Sequence, residues 1–382
     1  MGSVTRRQLL LGGTALAGAG LVSAISAIPA TPFTPSMKLM RSALGADIMP
    51  PDQVIRAHSN ENPYGPSRVA IQSIVESIDL ANLYIDDPTD LINVLSRQND
   101  VQPENIMVGS GSSEVLNVAG LLAGMTRGSV VCADPTYQSL VRYAENAGAR
   151  IIRVPVDEKL GTDLNAMKRA IRKDTKLVYL VNPNNPVPSV IEKNALREFV
   201  LEVSEKRLVF VDEAYHEFVS SADYSSMMDL IAQGQKNVIV SRTASKIHGL
   251  AGLRIGFGFA HPDLARRMIQ RRTGRLNVMG LKAAVASYQD QDFQDFTIRK
   301  TRESLAIVNA MCEELGIRYI RSEANFTFIE TGIENDIVQA KMLERGIMTG
   351  RAFPPYTKWA RISMAKPGEM KYFVQSYKNL FG

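Results

Sequence analysis

Between about residue 112 and residue 260, short apolar runs alternate with amphipathic stretches, and this alternation restricts the possible folds more than any other feature. Ser112 to Met125 reads as a helix opened by serine, with an acid in its first turn. Strand Val130–Ala133, helix Tyr137–Ala147, strand Arg150–Val154, helix Leu164–Ile171 and strand Leu177–Val181 follow. Helix Lys193–Ser204, strand Leu208–Val211 and strand Val238–Ser241 continue the series. Short apolar runs between amphipathic helices build βαβ units, so an α/β fold with a mostly parallel sheet of the seven-stranded type is expected. Ligands of such sheets sit on the loops at the carboxyl ends of the strands.

The last third changes character. Helical segments around 263–316 lead to strand candidates Tyr319–Arg321, Phe326–Glu330 and Ala360–Met364, which read as a smaller α+β part. The expected division is a leader over 1–30 and an arm with part of the small domain over 31–75. A large domain over 76–275 and a small C-terminal domain over 276–382 follow.

The leader is a separate object. Thr5-Arg6-Arg7-Gln8-Leu9-Leu10 runs into an uncharged, Ala- and Gly-rich stretch from Leu9 to Ile28, with small residues around Ala24 to Ala30. This resembles a twin-arginine export signal, which places the mature chain in the periplasm. An uncleaved signal would instead tether it to the membrane, although the Ala and Gly content makes a weak span. With the signal removed, no stable membrane partner is expected.

Composition excludes several other classes. The net charge of +5 comes partly from Arg6, Arg7, Lys38 and Arg41, which precede the first acid, Asp47. The rest carries no clustered basic helix, so no nucleic-acid partner is expected. Two distant cysteines, Cys132 and Cys312, call for no disulfide framework. The four histidines, His58, His216, His248 and His261, are scattered without metal-ligand spacing, so no metal is expected.

The chemistry concentrates at Thr243-Ala244-Ser245-Lys246, with Arg254 eight residues after the lysine in Leu250-Ala251-Gly252-Leu253-Arg254-Ile255-Gly256. A lysine can form a Schiff base with an aldehyde, while the neighbouring hydroxyls and the arginine can hold a phosphate. Aldehyde and phosphate together point to pyridoxal 5'-phosphate (PLP). PLP also needs an acid at its pyridine nitrogen, a donor at its phenolic oxygen, a phosphate cradle and a surface to stack on. Asp212, ending strand Leu208–Val211, is the candidate acid. Tyr215 and Asn185, the latter in Asn182-Pro183-Asn184-Asn185-Pro186, are candidate donors. Gly109-Ser110-Gly111-Ser112-Ser113-Glu114 opens a helix whose N–H groups suit a phosphate. Tyr137, after strand Val130–Ala133, can stack on the ring.

Taken in order, these motifs resemble the class I/II aminotransferases of PLP fold type I, and within them the histidinol-phosphate aminotransferase-like branch, from about residue 52 to the C-terminus. The resemblance implies that Lys246 carries the cofactor, Asp212 pairs with the pyridine nitrogen, and Asn185 and Tyr215 hold the phenolic oxygen. It implies that Tyr137 stacks and that Ser112, Ser113, Thr243, Ser245 and Arg254 hold the phosphate. In Asn60-Glu61-Asn62-Pro63-Tyr64-Gly65 it implies that Tyr64 reaches the phosphate of the other subunit of a homodimer. Arg361 matches the arginine that clamps the substrate α-carboxylate, a geometry suited to a guanidinium. Asn325 matches a small-domain motif and is expected with Arg361 at the substrate, and Arg351 resembles an arginine that meets a distal phosphate.

The implied reaction transfers an amino group from an amino-acid donor to a 2-oxo acid acceptor. Other PLP chemistry at Cα, as in a decarboxylase, cyclase, racemase or oxidase, remains the alternative. Two departures from the family pattern stand out. Val187-Pro188 follows Asn185-Pro186 where Thr-Gly is usual, and Tyr84-Ile85-Asp86-Asp87-Pro88 replaces a Tyr-Pro-Asp stretch. Export also separates the chain from cytoplasmic histidine biosynthesis, so a different substrate is expected.

Overall fold

The computed structural model describes residues 53–84 and 87–382. The expected export signal, the part of the expected arm up to residue 52, and Ile85 and Asp86 lie outside the described residues. Strand β1 (Ile55–Ala57) opens the described chain. The main sheet is built from β2 (Ile106–Ser110), β3 (Ser129–Asp134), β4 (Arg150–Pro155), β5 (Thr175–Val181), β6 (Leu208–Asp212), β7 (Val238–Thr243) and β8 (Ile255–Ala260). Their spatial order is β2-β8-β7-β6-β5-β3-β4.

The sheet is parallel from β4 to β7, and β8 alone is antiparallel to both its neighbours. The reason is local. Between β7 and β8 the chain has no crossover helix, only the Lys246 loop and a single 3-10 turn at Ala251–Leu253. So short a connection returns the chain antiparallel. The glycine-rich run Ile255-Gly-Phe-Gly-Phe-Ala260 did not read as a strand in sequence. A Cβ on Gly256 would stand 2.0 Å from the Ser112 backbone nitrogen, so glycine lets β8 pass under the helix start.

Both faces of the sheet are covered. Along β5, Val178 and Leu180 enter one apolar cluster while Leu177, Tyr179 and Val181 enter the other. Alternation with burial on both sides is the signature of a strand inside an α/β sheet. Each fully buried aliphatic side chain here contributes about 1.5–3 kcal/mol.

The C-terminal part forms β9 (Tyr319–Ile320), β10 (Phe326–Glu330), β11 (Ile347–Thr349) and β12 (Trp359–Ser363). Strands β12, β10 and β9 make an antiparallel sheet, and β11 pairs in parallel with β1. That pairing carries the residues just after β1 to the mouth of the main sheet. Among the described residues no helix is long and apolar enough to cross a membrane. Cys132 and Cys312 are both buried and free.

A buried charge pair braces the strand ends that carry the key loops. Arg242 on β7 donates Nε (3.2 Å) and Nη2 (3.0 Å) to Oε2 of Glu213, the residue after Asp212. Ser226 Oγ and the Met227 N–H complete the carboxylate's shell at 2.7 and 2.8 Å. Arg242→Leu strands that carboxylate without a counter-charge and should cost about 3–5 kcal/mol. Denaturant unfolding reads this, and a loss below about 1 kcal/mol contradicts it.

Candidate active site

At the carboxyl ends of β3, β5, β6 and β7 lies a cavity of about 700 Å³. Lys246, Asp212, Tyr215, Asn185, Tyr137, Ser112, Ser113, Thr243, Ser245, Arg254, Arg351 and Arg361 all line it. Two expected site residues do not. Asn325 turns its Nδ2 to the carbonyls of Asn60 (3.0 Å) and Glu61 (3.3 Å), so it fixes the segment bordering the cavity. Tyr64 packs edge-on against Phe296, with ring centroids 4.8 Å apart.

Asp212 closes β6, buried, and accepts a hydrogen bond from Ser241 Oγ at 2.8 Å. Burial pushes its carboxyl up to about 6, against the Ser241 bond, the Ala214 N–H and the Lys246 charge. Lys246 Nζ stands 5.6 Å from the Tyr215 ring centroid and 3.5 Å from the Ser59 carbonyl. Burial first, then Arg361, lower its amine to about 8, while Asp212 and Glu61 act in the opposite sense.

A chain of hydrogen bonds joins Arg361 to Tyr215. Arg361 Nη1 donates to Asn185 Oδ1 at 2.7 Å, and Asn185 Nδ2 donates to Tyr215 Oη at 3.2 Å. Asn60 Nδ2 donates to the same oxygen at 2.9 Å, and Ser363 Oγ donates to Asn60 Oδ1 at 2.6 Å. With two N–H groups already on its oxygen, Tyr215 keeps its own proton free to donate. Burial raises that hydroxyl to about 12, so the proton stays on it at neutral pH. Burial likewise raises Tyr137 above its ordinary range, with the charge of Asp212 adding to the effect.

The helix Ser112–Gly124 starts after Gly111, whose φ of 79° is a left-handed value that glycine adopts freely. No side chain caps this start, so its N–H groups remain open to a ligand. Arg254 Nη2 donates to Ser113 Oγ at 2.7 Å, and its Nη1 lies 3.5 Å from Ser245 Oγ. Glu114, expected in the first turn, turns its charge away. Its Oε2 accepts from Ser110 N at 2.7 Å and its Oε1 from Thr273 N and Gly274 N at 2.9 and 2.6 Å. The expected helix at Tyr137 begins only at Ser139, which leaves Tyr137 on the loop facing the cavity.

Comparison with known proteins decides the family. Residues 52–376 match the family described as aminotransferase class I and II. The chain belongs to that family. A histidinol-phosphate aminotransferase of Moorella thermoacetica is 33% identical over 331 residues, covering 86% of this chain and 85% of the relative. One from Anoxybacillus flavithermus is 35% identical over 303 residues, 78% and 80% of the two chains. The crystal structure of histidinol-phosphate aminotransferase from Sinorhizobium meliloti, in complex with pyridoxal-5'-phosphate, matches with a TM-score of 0.76 and 26% identity. It covers 93% of this chain and 100% of that one.

The aminotransferase site fits pyridoxal phosphate on its own chemistry. Asp212 is a buried carboxylate that takes part in no ion pair among the described residues, so a protonated pyridine nitrogen would supply its missing cation. An uncapped helix start flanked by Arg254, Ser113, Ser245 and Thr243 has the donors that would cradle a phosphate. Sequence reasoning gave Asn60, Arg142 and His58 no role. Asn60 stood inside a quoted motif, yet its contact with Ser363 spans 303 positions and leaves no local signal.

Proposed function

We propose that this PLP-dependent aminotransferase acts outside the cytoplasm on an amino donor bearing a second anionic group. The observation that carries the choice of donor is a pair of guanidiniums, Arg142 and Arg351, on the wall of the cavity. Neither belongs to an ion pair among the described residues. Arg351 lies 4.3 Å over the Phe353 ring, and burial followed by the charge of Arg142 lowers its pKa. Two like charges that repel one another favour an incoming phosphate or carboxylate. Aspartate, glutamate and phosphoserine are such donors; histidinol phosphate, after which the relatives are named, carries a phosphate in place of the α-carboxylate and so brings a single anion.

Bound pyridoxal phosphate supplies an electron sink for the charge left when the Cα proton departs. Everything else falls to side chains. Asp212 would hold the proton on the pyridine nitrogen, and Tyr215 would donate its free proton to the phenolic oxygen with Asn185 beside it. Thr243, Ser245, Ser112, Ser113 and Arg254 would hold the phosphate, and Tyr137 would cover the ring. Lys246 would anchor the cofactor and, with its amine free, would move the Cα proton. An amine lowered to about 8 loses its own proton readily enough to act as that base. Arg361 receives the α-carboxylate.

A screen of amino donors by the half-reaction spectrum tests this reading. Donors with a second anion should react at least about tenfold faster than alanine or leucine, and Arg142→Ala combined with Arg351→Ala should erase the preference. Equal reaction of leucine in the parent protein overturns it, and turnover without any 2-oxo acid would instead indicate other Cα chemistry.

Export rests on Arg6-Arg7 and the uncharged run behind it. Cell fractionation tests it, and a purely cytoplasmic product contradicts it. A homodimer sharing its sites is supported by exposed apolar Val69, Ile71, Val75, Ile78, Leu83 and Tyr84, the last 89% exposed. Tyr64 does not line its own cavity, which suits a residue that serves a partner's site. A monomeric mass by light scattering would rule the dimer out.

A further inference from the structure

His58 entered the sequence as one of four scattered histidines, and the fold sets it in the wall of the active-site cavity. Strand β1 ends one residue earlier and is pinned to β11, so the peptide after it has little freedom. Arg361 Nη2 donates to the His58 carbonyl. The next carbonyl, that of Ser59, lies 3.5 Å from Lys246 Nζ. The backbone at His58 and Ser59 therefore runs between the Arg361 guanidinium and the Lys246 amine, and His58 itself lines the cavity there.

The imidazole's own chemistry fixes what it offers. Its Nδ1 is buried with no hydrogen-bond partner. A proton on Nδ1 would be a buried donor with no acceptor, the costlier of the two arrangements, so the proton resides on Nε2. Burial, then the charges of Arg56 and Arg361, hold the ring's pKa below its ordinary value against the opposing pull of Glu61. The ring is therefore neutral at pH 7, with a single N–H to give. Arg361 Nε is also buried and partnerless, so the guanidinium that binds Asn185 and the His58 carbonyl retains unused capacity.

We propose that His58 is a substrate-binding residue whose Nε2–H donates to the carboxylate of the amino or 2-oxo acid held by Arg361. This inference rests on the reading of Arg361 as the α-carboxylate clamp. The neutral ring adds a directed hydrogen bond without adding charge, and so favours the carboxylate over a neutral group at the same position.

Calorimetric titration of the PLP-loaded protein with maleate, a dicarboxylate that cannot transaminate, tests it. His58→Phe should weaken maleate about tenfold, equivalent to about 1.4 kcal/mol. His58→Gln, which restores an N–H of similar reach, should recover most of the affinity. In steady state His58→Phe should raise KM for the amino donor while kcat changes little, and PLP affinity should stay at the parent value. Parental maleate affinity in His58→Phe overturns the proposal, as does a parallel loss of PLP affinity, which would make the residue structural. Arg361→Ala separates the two layers. If it weakens maleate and His58→Phe does not, only the role of His58 fails. If neither variant weakens it, the carboxylate reading of Arg361 fails first.

Discussion

Lys246→Ala should lower transamination by about four orders of magnitude while the protein still folds and binds pyridoxal phosphate. General acid–base transfer by a positioned side chain is worth about 10²–10⁴ on its own, and the variant also loses the covalent anchor. The retained binding follows from how the site is divided. On the proposed reading the phosphate contacts would come from Arg254, Ser113, Ser245 and the uncapped helix start, none of which depends on the lysine. The pyridine contact would belong to Asp212 on a different strand. Removing the amine also takes one positive charge from beside Asp212 and one competitor from Arg361. Equilibrium dialysis with PLP and single-turnover kinetics with an amino donor measure the two halves separately. A variant within tenfold of the parent rate would mean that a different group moves the proton.

Arg361→Ala is the second large effect. The guanidinium is buried enough that its pKa falls below the ordinary value, and burial is the first cause. A charge-assisted contact in such surroundings is stronger than one in water, and losing it costs about 2–5 kcal/mol, a rise of roughly 30-fold to several-thousandfold in KM. The rise should appear for the amino donor and the 2-oxo acid alike, since both carry the α-carboxylate. PLP affinity should change far less. A smaller drop in kcat is also expected, because Arg361 positions Asn185 and, through it, Tyr215. Equal losses of PLP and substrate affinity would reassign Arg361 to the cofactor.

The parts legible in the sequence were those with local signals. The apolar runs of β3, β5 and β6 and the helices between them follow from periodicity, Asp212 stands out at the end of a strand, and Lys246 stands out by the hydroxyls before it and Arg254 after it. Strand β8 was missed because its glycines, needed where helix Ser112–Gly124 passes over it, mimic a loop. The helix after Tyr137 was started two residues early, since Tyr137 and Gln138 suit a helix by composition while the chain there is still turning. Asn325 was expected against substrate. It instead holds the backbone of Asn60 and Glu61, a contact spanning more than 260 positions that no spacing rule reveals. Arg142 lies on a helix that reads as an ordinary amphipathic element, and only the fold turns it toward Arg351. His58 was one of four unremarked histidines until the pairing of β1 with β11 brought it to the cavity.

Borohydride reduction of the PLP-loaded protein, followed by proteolysis and mass spectrometry of the peptides, reads out which lysine holds the cofactor. Hydride should fix the carbon–nitrogen bond between cofactor and enzyme, bleach the visible absorbance and leave one phosphopyridoxyl group, on the peptide containing Lys246. A label on any other lysine, or a colourless protein that transaminates without PLP, would contradict the account.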